Sequence, residues 1–127
     1  MNKQIISTSL APSAIGPYSQ AVRAENLLFV SGQIPIDPST GQLIADKSIQ
    51  SQTRRVLENI LAIVAAAGGS VQNIVKTTVF LRDMGDFAEM NAVYSEFFSS
   101  AQPARSTVEA ARLPRDVAVE IDCIAVI

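Results

Sequence analysis

In this 127-residue chain, Arg105, Glu120 and Asp122 are the side chains best placed to do chemistry. They lie in two alternating runs, Gln102-Pro103-Ala104-Arg105-Ser106-Thr107-Val108-Glu109-Ala110 and Val117-Ala118-Val119-Glu120-Ile121-Asp122-Cys123, separated by Leu113-Pro114-Arg115-Asp116. Polar and apolar residues alternate in both, and Pro and Asp stand between them, so the pattern predicts two antiparallel strands joined by a loop. On the second strand Val117, Val119, Ile121 and Cys123 share one face, which leaves Glu120 and Asp122 together on the other. On the first, Arg105, Thr107 and Glu109 share a face. A pairing centred near Leu113 and Pro114 sets Arg105 opposite Glu120 or Asp122, and Thr107 opposite Ala118 or Glu120. A slip of one residue sends them to opposite faces. Such a pair has two readings. One is an ordinary cross-strand ion pair on a solvated sheet face. The other is a fork of N–H donors for the carboxylate of a ligand, beside a carboxylate that handles a proton or a water. The pattern alone leaves both open.

Composition narrows the chemistry. The chain has no histidine and one cysteine, so neither a Ser-His-Asp triad nor a Cys-His dyad can be built, and zinc sites containing histidine are excluded. Acid–base work falls to carboxylates, Tyr, Lys, backbone and water. No metal and no cofactor is expected. Cys123, on the apolar side of its strand, reads as a small buried hydrophobe. The net charge is −2 and the pI about 5.0. With Arg54-Arg55 as the only basic cluster, there is no electrostatic footprint for nucleic acid. No run is apolar and long enough for a signal peptide or a membrane span, which points to the cytoplasm. The length suits one domain, residues 1–127. A 48% apolar, 17% charged composition marks a core-forming protein and suggests that some apolar surface is hidden against other subunits.

These residues must be positioned by the rest of the chain. Lys3 to Ser7 predicts a short strand, followed by a loop through Pro12, Gly16 and Pro17 to Tyr18. Ser19 to Ala24 and Leu27 to Gly32 flank Glu25-Asn26 as a hairpin. Asp37-Pro38-Ser39-Thr40-Gly41 is a second turn. Ser48 caps a helix whose apolar positions Ile49, Val56, Leu57, Ile60, Leu61 and Val64 lie opposite Gln52, Arg55, Glu58 and Asn59, and which ends at Gly68-Gly69. Ile74 to Leu81 predicts a strand with Val75, Thr77, Val79 and Leu81 on one side. Asp86 starts a second helix, Phe87 to Ser99, with an apolar stripe of Phe87, Met90, Val93, Tyr94, Phe97 and Phe98. The order predicts an α+β domain, two helices packed on one face of a mixed sheet.

The run Pro103-Ala104-Arg105-Ser106, followed by Val108, Ala110 and Leu113 and closing on Val119-Glu120-Ile121, resembles the C-terminal signature of the Rid family, also called YjgF-like. Ala14-Ile15-Gly16-Pro17-Tyr18-Ser19-Gln20-Ala21 and Phe29-Val30-Ser31-Gly32-Gln33-Ile34-Pro35 resemble two further motifs of that family, in the expected order. The resemblance implies a chorismate-mutase-like fold assembled as a homotrimer, with ligand clefts between subunits. It also implies hydrolysis of reactive enamines and imines, 2-aminoacrylate and 2-iminobutyrate, to 2-oxo acids and ammonia. In that scheme Arg105 grips the substrate carboxylate and Glu120 positions or deprotonates the attacking water. Tyr18 lines the pocket, Ser31 and Gly32 supply hydroxyl and backbone contacts, and Asn91 lies near the ligand. The plainer readings are a packed aromatic at Tyr18, a strand end at Ser31-Gly32 and a solvated polar residue at Asn91. Thr107 stands where deaminases of this type often carry cysteine, so no role for a thiol is available there. The alternative to the enzyme is a regulatory trimer that senses a small metabolite in the same clefts and docks on a partner protein.

Overall fold

The computed structural model describes residues 2–127. Eight strands and two helices follow one another as β1 (Lys3–Ile6), β2 (Ala21–Ala24), β3 (Leu27–Gln33), β4 (Ile36–Asp37), β5 (Gln42–Leu43), α1 (Ile49–Ala66), β6 (Ile74–Leu81), α2 (Phe87–Phe97), β7 (Ala104–Glu109) and β8 (Val119–Val126). Six strands form one sheet in the order β1-β2-β3-β8-β6-β7, while β4 and β5 make a small separate hairpin at the Asp37 turn. All neighbours in the large sheet are antiparallel except β6 and β7, which run parallel. Parallel neighbours need a crossover, and α2 supplies it. The result is the expected α+β layout, with both helices over one face.

The helix ends follow from their sequences. Ser48 Oγ accepts a hydrogen bond from Ser51 N at 3.2 Å and caps α1. At the other end Gly68 takes φ +91°, the left-handed conformation that glycine adopts without strain, and Gly69 N donates back to Val64 O at 3.0 Å. The core lies between α1 and the sheet: Val56, Leu57, Ile60, Ile63 and Val64 meet Leu28, Val79, Val119 and Ile121, all fully buried.

Three expectations are corrected here. The Gln102–Ala110 and Val117–Cys123 runs are strands, but not a hairpin. β7 pairs with β6, and β8 inserts between β3 and β6, so β6 separates the two. On β6 the buried set is Ile74, Thr77, Val79 and Leu81, while Val75 is exposed, because a bulge between Ile74 and Lys76 shifts the alternation. On α1, Gln52 and Asn59 are buried rather than opposite the core. Gln52 Oε1 accepts from Ala118 N at 2.8 Å, and Asn59 Nδ2 donates to Ile36 O at 2.9 Å and Ile34 O at 3.3 Å. Both satisfy backbone groups that have no strand partner, and leaving one such group unpaired costs about 1–3 kcal/mol.

Candidate active site

The register of the sheet decides where each side chain points. Arg105 stands opposite Thr77, and Thr77 stands opposite Cys123, so these three project from the helix-covered face. Glu120 is opposite Phe80, which is opposite Val108, and all three project from the other face. Arg105 and Glu120 of one chain are therefore on opposite sides of the sheet and do not form the expected cross-strand pair. Thr107 shares the Arg105 face and stands opposite Val79, not Ala118 or Glu120.

On the helix side, α2 builds a cradle for Arg105. Its Nη1 donates to Asn91 Oδ1 at 2.7 Å, and its guanidinium carbon lies 4.7 Å from the centre of the Tyr94 ring and 5.5 Å from that of Phe87. Tyr94 is fixed in turn by a 2.7 Å hydrogen bond between its hydroxyl and that of Thr77, and burial pushes its phenol pKa up. None of these partners is an acid, so the guanidinium is oriented without being neutralised. Arg105 opens onto a pocket of about 360 Å³ that Asn91, Ser95, Gln102 and Pro103 also line. Asn91, whose plainer reading was a solvated polar residue, is thus in direct contact with the arginine.

On the other face, β3 carries a bulge in which Ser31 and Gly32 together oppose Asp122. The carboxylate of Glu120 packs over Gly32 so closely that a Cβ there would sit 2.9 Å from its carboxyl carbon, so a side chain at this position would displace the carboxylate. Glu120 is half-buried. Desolvation, then the nearby Asp122 charge, holds its pKa above the ordinary carboxylate value. Among the described residues no cation pairs with it. A carboxylate kept in this condition is a better proton acceptor than an exposed one.

Tyr18 lies near Gly32, lining a second pocket of about 190 Å³ with Gln33, Ile34 and Pro114. Its loop is fixed by Gln20, whose buried amide accepts from Thr8 N at 2.7 Å and donates to the carbonyls of Thr8, Ala11 and Pro12. The Tyr18 hydroxyl accepts from Ile15 N at 3.3 Å, and its ring is 52% exposed. Ser31 Oγ donates to Ser19 O at 2.6 Å, so its proton is committed to the backbone and only its lone pairs remain for a ligand. Gln20 was missed from sequence; a glutamine preceding a strand carries no pattern that marks it as the anchor of a loop.

One chain thus carries two separate polar centres, an arginine cradle on the helix side and a carboxylate shelf on the open face. The open face is also studded with apolar side chains, including Phe29 at 44% and Val108 at 43% exposure. Cys123 is buried on the helix side, its thiol pKa pushed up to about 12 by burial and then by Asp122, which leaves it inert.

An α+β chain with these two centres belongs to a class defined by its relatives. The family described as Endoribonuclease L-PSP matches residues 8–127. A RutC family protein of Pyrococcus horikoshii is 56% identical over 97% of both chains. TdcF of Escherichia coli K12, provisionally named a reactive intermediate deaminase, is 54% identical over 98% of this chain and 97% of its own. Among solved structures, Escherichia coli TdcF with bound serine superposes with a TM-score of 0.92 at 52% identity, covering 98% of each chain. A Rid family protein from Yersinia pestis gives 0.96 at 46% identity over 99% and 100%. This chain belongs to the Rid family.

Proposed function

We propose that the protein hydrolyses small enamine and imine acids such as 2-aminoacrylate and 2-iminobutyrate, in sites completed between neighbouring copies of the chain in a homotrimer. The observation that carries this reading is the Arg105 guanidinium, held by Asn91 and two aromatic rings yet left without a counter-charge at the mouth of a pocket. Such a fork takes a carboxylate in two parallel hydrogen bonds. The bound serine of Escherichia coli TdcF, a ligand of that chemical type, supports it.

The chemistry needs little more. The enamine tautomerises to the imine, whose carbon is already electrophilic. Water adds to that carbon while Glu120 accepts one proton and passes it to the nitrogen, forming a carbinolamine, and the hydroxyl proton then follows through Glu120 to the departing nitrogen. The C–N bond breaks to give a 2-oxo acid and ammonia. Holding water and imine together contributes through orientation, and a base of raised pKa contributes through proton transfer. Because Arg105 and Glu120 face opposite ways in one chain, a second copy must bring its Glu120 shelf to the first copy's Arg105. The apolar open face is the surface on which copies would meet, and a cyclic trimer closes such a head-to-tail contact. The test is 2-oxobutyrate release from threonine by a threonine dehydratase. Acceleration by this protein, lost in Arg105→Ala and weakened in Glu120→Ala, is expected. No acceleration by folded protein would transfer the reading to the ligand-sensing trimer.

A further inference from the structure

Three of the ten cationic side chains, Lys47, Arg82 and Arg115, gather around one pocket of about 360 Å³ that the chemistry above does not use. The only carboxylate lining it, Asp116, is engaged by Arg112 at 3.1 Å. Among the described residues none of the three cations makes an ion pair, in contrast to Arg54 and Arg55, which pair with Glu96 and Glu58. Uncompensated like charges drawn into a concavity raise its potential, and an anion placed among them relieves their repulsion.

The backbone makes this arrangement through an uncommon turn. Arg115 and Asp116 are consecutive non-glycine residues at φ +56° and +57°, a left-handed pair that side chains rarely adopt. Arg82 Nη1 holds the turn by donating to Asp116 O at 2.9 Å, and Arg112 holds it through the Asp116 side chain. Leu43 and Ile44 add apolar side chains to the lining of the same pocket. The volume falls in the range of small-molecule sites, which pair an apolar lining with a few convergent polar groups.

We propose that this pocket binds a small phosphate monoester. The Arg82 and Arg115 forks take phosphate oxygens, the Lys47 ammonium adds a point charge, and the organic part of the ester lies on Leu43 and Ile44. The site is separate from the Arg105 cradle and does not rest on the deaminase reading.

The test titrates phenyl phosphate into the Arg105→Ala protein by calorimetry at low salt, so that the Arg105 cradle contributes nothing. The expected result is binding as tight as in wild type, weakened about tenfold or more by a further Lys47→Gln or Arg115→Gln, and weakened by added salt. Both side chains are exposed, and circular dichroism verifies that the variants fold. Lys47→Gln discriminates best, because Arg115 also lines the Tyr18 pocket. Phenol is expected not to bind, and inorganic phosphate to compete. Binding lost with Arg105→Ala, unchanged by Lys47→Gln, or matched by phenol overturns the proposal. So does binding of an oligoribonucleotide that depends on Lys47 when phenyl phosphate does not bind, which would reassign the pocket to nucleic acid.

Discussion

Arg105 and Glu120 lie on opposite faces of the same sheet, and their surroundings differ as much as their charges. Around Arg105 the protein supplies neutral partners, an amide and two aromatic rings, that fix the guanidinium and leave its charge in place. Around Glu120 it supplies burial, a neighbouring acid and no cation, so the carboxylate is destabilised rather than fixed. On the proposed reading the cation is prepared to bind and the anion to react. A structural ion pair would have bound the two together and spent both charges.

The contrast is broken most severely by removing the cation. Arg105→Ala is expected to lower kcat/KM for an imino acid by about 100- to 1,000-fold, the cost of losing a bidentate charged contact of about 3–4 kcal/mol. Arg105→Lys restores only a small part, since an ammonium lacks the planar fork. Steady-state kinetics in the coupled assay measure both.

Glu120→Gln comes next, with kcat falling about 100-fold. In wild type, activity is expected to fall as pH drops through the Glu120 pKa, which desolvation and then Asp122 raise above the ordinary carboxylate value. Stability has the opposite sense. The folded state holds this proton more tightly than the unfolded chain, so stability decreases as pH rises from the unfolded to the folded pKa. Glu120→Gln is therefore expected to raise Tm at neutral pH while removing activity, and thermal melts of the two proteins check it.

Gly32→Ala sharpens the comparison at lower cost. The added methyl meets the flexible end of Glu120 rather than backbone, so it displaces the carboxylate and lowers kcat about tenfold, with a change in stability below about 1 kcal/mol. Asn91→Ala acts on the other half-site. Loss of one hydrogen bond to the guanidinium is expected to raise KM several-fold, about 1 kcal/mol, with kcat nearly unchanged. The smallest effect belongs to Thr107, where Cys or Ala is expected to shift affinity or substrate preference without abolishing activity.

Much of this was legible in the sequence, and what was not has particular causes. Ser48 and Gly68 mark the ends of α1 because capping is local chemistry. The alternation of β8 placed Glu120 and Asp122 on one face away from Cys123, as observed. The partner of β8 was misread because alternation shows which face a residue takes and not which strand lies beside it. A short loop between two alternating runs suggests a hairpin, yet β8 reaches past it to fit between β3 and β6. Gln52 and Asn59 were placed opposite the core for a related reason. Their burial depends on backbone groups at Ala118, Ile34 and Ile36, which only the tertiary fold brings to them.

The central claim is that catalysis needs the Arg105 of one copy and the Glu120 of another, and subunit mixing tests it most directly. Arg105→Ala and Glu120→Ala proteins, the first expected to be inactive and the second weakened, are unfolded together in equal amounts and refolded. If the site lies between copies, random assembly unites an intact arginine with an intact glutamate in about a quarter of the clefts, and about a quarter of wild-type activity returns. Recovery no greater than the sum of the two variants would contradict the account.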